Sequence, residues 1–175
     1  MAAEPGSPGR PARRYRAALL VVSDRAAAGT RPDETADLLR PALAVRGIDL
    51  EDVVVVPDEV PAIVAALRAR VGATDLLLTT GGTGVAPRDV TPEATRSVIE
   101  KELPGLPEEI RRQSVAKTIH AIGSRGLAGT AGTTLILNLP GRPAGAVEAF
   151  SFVAKALPHL MDLLRGPVSD SSHGV

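Results

Sequence analysis

Four short, mostly apolar runs, residues 17–22, 53–56, 76–80 and 135–139, punctuate the chain, and each closes on polar or glycine-rich residues. Runs this short and apolar suit strands covered on both faces, as in a parallel sheet. Between them apolar residues recur at helical spacing. Ala36, Leu39 and Leu43 mark one helix, and Val60, Ile63, Val64, Leu67 and Val71 a second, ended by Gly47 and Gly72 respectively. Thr91-Pro92-Glu93 reads as N-cap, first-turn proline and first-turn acid of a helix reaching about Lys101. Residues 107–117 form another helix, and 123–133, with four glycines, a loop or at most a short edge strand. A last helix buries Val147, Phe150, Val153, Leu157, Leu160 and Leu164, and Pro158 should break it near Ala156. Strands alternating with helices predict an α/β fold, a three-layer domain whose mainly parallel sheet is flanked by helices. The domain is expected over residues 15–167, between tails 1–14 and 168–175 that carry no core pattern.

In open parallel sheets ligands bind at the carboxyl ends of the strands. Every polar or glycine-rich signature of this chain sits at such an end: Ser23-Asp24, Asp58-Glu59, residues 79–89 and residues 138–142. Four segments distant in sequence are therefore expected to line one pocket. The densest is Thr79-Thr80-Gly81-Gly82-Thr83-Gly84, followed by Pro87-Arg88-Asp89-Val90-Thr91-Pro92-Glu93. A glycine cluster alone is often only a turn. Here the apolar run before it and the helix start after it suit a backbone N–H concavity for phosphate. No lysine follows the glycines, and Pro87 stands where a GxGxxG motif needs its third glycine, so neither common nucleotide motif is present. Asp58 and Asp89 both follow strands and can converge on a magnesium ion, which usually takes one or two carboxylates plus substrate phosphates. Taken alone, Asp58 also reads as the N-cap of the second helix, and Asp89 as closing an Asx turn. Arg88 is free to contact an anion or to pair with Asp89 or Glu93. Ser114 and Arg125 gain no role from residue type alone.

Twenty basic and twenty acidic residues cancel, so no overall field draws the chain to nucleic acid or an anionic membrane. One tyrosine, two phenylalanines and no tryptophan nearly exclude base-stacking platforms. Cysteine is absent, which removes disulfides, cysteine–zinc sites and a thiol nucleophile. His120, His159 and His173 lack zinc-site spacing. No apolar stretch reaches the ~18 residues of a membrane span, and no signal core opens the chain, so a cytoplasmic protein is expected.

Val22-Ser23-Asp24-Arg25 with Gly29, Pro57-Asp58-Glu59, residues 79–93, Ile110-Arg111 through Ser114, Ser124-Arg125, Ala128-Gly129 and Asn138-Leu139-Pro140-Gly141 also form a pattern. With Leu157-Pro158-His159 and Asp162-Leu163-Leu164, this pattern resembles the molybdopterin adenylyltransferases of molybdenum cofactor biosynthesis, the MogA/MoaB-like proteins, over residues 16–166. The resemblance implies a molybdopterin-binding-like α/β domain that assembles as a homotrimer. It implies magnesium-dependent transfer of AMP from ATP, as co-substrate, to the phosphate of molybdopterin. The family's two essential aspartates fall on Asp58 and Asp89, as catalytic and metal-binding residues. Thr80, Gly81, Gly82, Thr83, Gly84 and Arg88 would hold nucleotide phosphates. Ser23, Asp24, Ser114, Asn138, Pro140, Gly141 and Arg142 would bind substrate, the last four and Ser114 on the pterin side. A separate molybdate-inserting enzyme would act next. A non-catalytic molybdopterin-binding protein of the same fold is the alternative. Two departures stand out. Gly141-Arg142-Pro143-Ala144 replaces the common Gly-Ser-Pro-Lys, which weakens binding of an anionic substrate unless Arg142 supplies the charge. Thr35-Ala36-Asp37 replaces a Ser-Gly-Pro variant.

Overall fold

The computed structural model describes residues 14–30 and 33–166. Most of both expected tails lies outside the described residues. Six strands form one sheet: β1 (Tyr15–Val22), β2 (Ile48–Val56), β3 (Leu76–Thr80), β4 (Lys101–Glu102), β5 (Ala128–Ala131) and β6 (Thr134–Leu139), in the order β2-β1-β3-β6-β5-β4. β2, β1, β3 and β6 run parallel; β5 and β4 are antiparallel additions at one edge. The helices are α1 (Asp24–Ala27), α2 (Thr35–Ala44), α3 (Val60–Arg68), α4 (Thr91–Arg96), α5 (Gly105–Val115), α6 (Pro143–Val153) and α7 (Leu157–Arg165), with a 3-10 turn at Ile119–Gly123. Among the described residues no helix is long and apolar enough to cross a membrane.

The uninterrupted apolar character of β1 has a direct cause. Tyr15, Ala17, Leu19 and Val21 pack on one side of the sheet with Leu39 and Leu43 of α2, Ile110 of α5, Phe150 of α6 and Met161 of α7. Ala18, Leu20 and Val22 pack on the other with Ile63 and Leu67 of α3 and Ala94 of α4. Both faces are dry, so neither alternate position tolerates a polar side chain. Each leucine so buried contributes about 1.5–3 kcal/mol.

Several boundaries differ from the sequence expectation. β2 starts at Ile48, five residues before the apolar run, because Ile48 and Leu50 alternate with polar residues on an edge strand. Its pairing with β1 shifts register between Ala17 and Ala18, where Glu51 is skipped. α4 stops at Arg96 because the chain must turn to set Lys101 and Glu102 against β5. The glycine-rich 123–133 stretch yields β5, and Gly129 is needed there: a Cβ would stand 2.6 Å from the Lys101 carbonyl oxygen. The break before Pro158 occurs as expected, with α6 ending at Val153 and Pro158 in the first turn of α7. Arg14, placed in the N-terminal tail by sequence, forms an ion pair with Asp49 of β2.

Strand register brings the chemistry together. Val22 pairs with Val56, Val21 with Thr80, and Thr80 with Leu139, so the carboxyl ends of four strands stand level. The chain leaves β1 for β2 on one side and returns to β3 on the other. The adjacent ends of β1 and β3 therefore form the crevice in which ligands of such sheets bind.

Candidate active site

A cleft of about 820 Å³ opens at that crevice, lined among others by Ser23, Asp24, Asp58, Gly81, Gly141 and Arg142. Its floor depends on glycine. Gly81 has φ +93°, and a Cβ there would sit 2.2 Å from the Val22 carbonyl oxygen. Gly141 packs on it from β6, where a Cβ would lie 3.0 Å from the Gly81 Cα. Gly81→Ala is accordingly expected to lose on the order of 2 kcal/mol from backbone strain alone, with the clash adding to it, as measured by urea denaturation. An unchanged midpoint would mean that the β1 and β3 ends separate freely.

The next glycines make room for side chains that pack on the loop. A Cβ on Gly82, at φ +63°, would lie 2.4 Å from the Thr91 hydroxyl oxygen and in ordinary contact, 3.4 Å, with Asp58 Oδ1; one on Gly84 would lie 2.8 Å from Asp89 Oδ2. The two aspartates thus arrive from different strand ends onto one loop, and the Asp89 charge acts on Asp58. Asp58 is not a helix cap: Glu59 holds that position in α3 without a side-chain bond. Asp58 Oδ2 instead accepts the Asp24 N–H at 2.8 Å, while Asp24 Oδ1 accepts the Asp58 N–H at 3.0 Å. This reciprocal pair locks the ends of β1 and β2 together. Burial pushes the Asp58 carboxyl above the usual carboxylate value, and the nearby Asp24 and Asp89 charges add to the rise; the Asp24 N–H and Arg88 oppose it. Asp24 moves the other way, held down by the Asp58 backbone N–H and by Arg88. The Arg88 guanidinium forks onto Asp24, with Nε to Oδ2 at 3.0 Å and Nη2 to Oδ1 at 2.7 Å.

Asp89 Oδ2 accepts the Ala86 N–H at 2.9 Å, three residues back, so the expected Asx turn does not form: the Thr91 N–H goes to the Gly82 carbonyl instead; Oδ1 carries no hydrogen bond among the described residues. Those residues hold no cluster of three or more acidic or histidine side chains able to cage a metal. Two hard carboxylates above a glycine cradle suit magnesium shared with substrate phosphates, not an all-protein site.

Other expected site residues fall elsewhere. The side chain of Asn138 does not reach the cleft: the residue is 3% exposed and its amide is fully engaged. Its Nδ2 donates to the Thr79 and Thr95 hydroxyls, both at 2.9 Å, and its Oδ1 accepts the Leu127 N–H at 3.0 Å. This is a satisfied interior amide joining β3, α4 and β6. Ser114 lies in the last turn of α5 and Pro140 just after β6; neither lines the cleft. Ser23 lines it, but its hydroxyl caps α1 by accepting the Ala26 N–H. Thr80 and Thr83 are buried, Thr80 in the cleft wall. Thr91 is not an N-cap: its hydroxyl donates to the Gly81 carbonyl at 2.8 Å and ties down the glycine turn. Residue type alone missed Arg125, which bonds to the loop from Thr83 to Glu93. The only sequence signal for it was the Ser124-Arg125 pair within the family pattern.

Residues 18–159 match the family described as "Probable molybdopterin binding domain". The chain belongs to this family. Among its relatives, the molybdopterin adenylyltransferase of Haemophilus influenzae is 37% identical over 170 residues, spanning 87% of this chain and 86% of that protein. The molybdenum cofactor synthesis protein cinnamon of Drosophila melanogaster is 50% identical over 117 residues, 66% of this chain but only 20% of that protein. The chain spans about half of several other curated relatives, 49–52% of their lengths. The crystal structure of the molybdopterin biosynthesis enzyme MoaB from Thermus thermophilus superposes with a TM-score of 0.81 at 46% identity, covering 87% of this chain and 98% of that one. The three-layer α/β architecture is the family's.

Proposed function

We propose that this chain is a molybdopterin adenylyltransferase, transferring AMP from ATP to the terminal phosphate of molybdopterin with release of pyrophosphate. The observation that carries the reading is Asp58 in the cleft wall, with the charge of Asp89 acting on it from the glycine loop. An oxygen of the pterin phosphate attacks the α-phosphorus of ATP. The bond from that phosphorus to the oxygen bridging the α- and β-phosphates breaks, and this oxygen leaves with pyrophosphate. Such transfer needs alignment and charge neutralisation more than covalent chemistry from the protein. The glycine turn supplies backbone N–H donors for phosphate, and Arg88, held on Asp24, brings a cation to the same strand ends. Asp58 and Asp89 would hold magnesium, which when bound neutralises triphosphate charge. The pterin side falls to the Gly141 and Arg142 wall of the cleft.

The test is pyrophosphate release by the purified chain given ATP and magnesium. Release is expected only when molybdopterin is present. Pterin binding without any release would favour the non-catalytic carrier instead. The Arg142 guanidinium, exposed and without an ion-pair partner among the described residues, stands in for the family's lysine. Arg142→Ala should raise the KM for molybdopterin about tenfold, the scale of one charge-assisted hydrogen bond, and leave the KM for ATP unchanged. Equal KM values for both proteins would return Arg142 to an ordinary surface residue.

A further inference from the structure

We propose that Arg125 is the positioning residue of the glycine loop, a planar fork that fixes Gly84 and Asp89 relative to the sheet. The inference rests on the adenylyltransferase reading only for its kinetic readout. Arg125 enters from the segment between the 3-10 turn and β5, outside every motif to which a role was assigned. Its backbone N–H donates to the Thr83 carbonyl at 2.9 Å. Its Nε donates to the Gly84 carbonyl at 2.7 Å, and its Nη2 to the Asp89 carbonyl at 2.6 Å. Its Nη1 pairs with the Glu93 carboxylate in the first turn of α4. One residue therefore grips the loop before, within and after the stretch that carries Asp89.

The loop needs such a grip. Val85 is 79% exposed and residues 86–88 are also exposed, so no apolar packing fixes them. The bonds inside it, Asp89 N–H to the Ala86 carbonyl and Ala86 N–H to Asp89 Oδ2, close a local turn without anchoring that turn to the sheet. Two arginines supply the anchors. Arg88 reaches outward from the loop to Asp24, and Arg125 reaches in from across the sheet edge. Three acceptors in three directions around one plane suit a guanidinium; an ammonium is a point charge with rotating donors and cannot hold all three in fixed geometry. Glu93 completes the fork, and its carboxyl is held below the usual range chiefly by its bond to Arg125. Because Arg125 contacts backbone carbonyls and Glu93 and not the Asp89 carboxylate, it acts through the loop.

The experiment compares the parent chain with Arg125→Gln, Arg125→Lys and Glu93→Gln by amide hydrogen exchange and by kinetics. In Arg125→Gln the backbone N–H groups of residues 84–86, 88 and 89 should exchange about 10- to 100-fold faster, while those of β1, β3 and β6 keep their parent rates. Half-saturating magnesium for turnover should rise by about 10- to 100-fold, the usual scale for losing a group that orients a metal ligand. Arg125→Lys should not rescue either readout, and Glu93→Gln, which removes one of the four ties, should show a smaller change of the same kind. Unchanged loop exchange in Arg125→Gln overturns the proposal, as does full rescue by lysine, which would make charge sufficient. Exchange accelerated equally throughout the sheet in both Arg125→Gln and Glu93→Gln also overturns it, because the role would then be general stability. If the parent chain releases no pyrophosphate, the adenylyltransferase reading fails while the exchange comparison still decides the role of Arg125.

Discussion

Asp58→Asn is expected to lower pyrophosphate release at least ~100-fold, the scale of removing one electrostatic contributor to a transition state, while melting at or slightly above the parent temperature at pH 7. Asparagine keeps the shape and can still accept the Asp24 N–H, so the reciprocal lock between β1 and β2 survives. The sign of the stability change follows from the raised Asp58 carboxyl. A carboxyl whose folded pKa lies above its unfolded value stabilises the fold fully below the unfolded value. That contribution is lost as pH rises through the folded value. The charged form of Asp58 therefore weighs against the fold, and asparagine removes that charge. The acid limb of kcat/KM in the parent chain should also lie above the ordinary aspartate range, because the raised group must ionise to work. A variant with near-parent turnover at saturating magnesium, or one melting several degrees lower, would remove Asp58 from its assigned role. Asp89→Asn should show a similar loss of turnover.

Arg165→Met should produce the largest loss of stability without touching the cleft. Asp75, 7% exposed at the start of β3, accepts Arg165 Nε at 2.7 Å and the Arg16 N–H at 2.7 Å. The Arg165 guanidinium also stacks 4.7 Å from the Tyr15 ring centroid, and together these contacts fasten α7 to the amino-terminal end of the sheet. Burial pushes the Asp75 carboxyl up, but the bonds from Arg165 and the Arg16 N–H outweigh it and hold the carboxyl below its ordinary value. Methionine preserves much of the apolar stem and strands a buried carboxylate, at a cost of about 3 kcal/mol. For a chain of this size that is a fall of roughly 6–12 °C in Tm. A depressed carboxyl contributes stability above its unfolded pKa and loses it as pH falls through the folded value. The gap between parent and variant should therefore narrow as pH falls below the ordinary aspartate range. Pyrophosphate release below the melting range should be unchanged, since Asp75 and Thr80 stand at opposite ends of β3. Equal melting at pH 7 would show that solvent reaches Asp75 freely.

Dry strands advertise themselves along the chain, because both faces must be apolar at once; β1, β3 and β6 were legible for that reason. β2 was only half legible, since its first residues lie on an edge where one position in two faces water. β5 was legible only as a possible short strand, because Gly129 and Gly132, which read as loop, serve close packing and a tight turn between β5 and β6; the two-residue β4 was hidden, falling where the fourth helix was expected to end.

What the sequence by itself determined about this protein is where polarity interrupts the apolar pattern, and hence that its polar and glycine-rich segments gather at one edge of a parallel sheet. The glycines were visible because they follow β3 directly, Asp58 because it lies just past β2, and Asp89 because it closes the glycine loop ahead of α4. Only the tertiary structure decided what each polar group does with its hydrogen bonds. Asp24 and Asp58 lie 34 positions apart, Asn138 and Thr95 lie 43 apart, and Arg125 and Asp89 lie 36 apart. No local rule relates such pairs. Strand register sets which chain ends stand level, and that placement turned Asn138 inward to close the core and brought Arg125 across to hold the glycine loop.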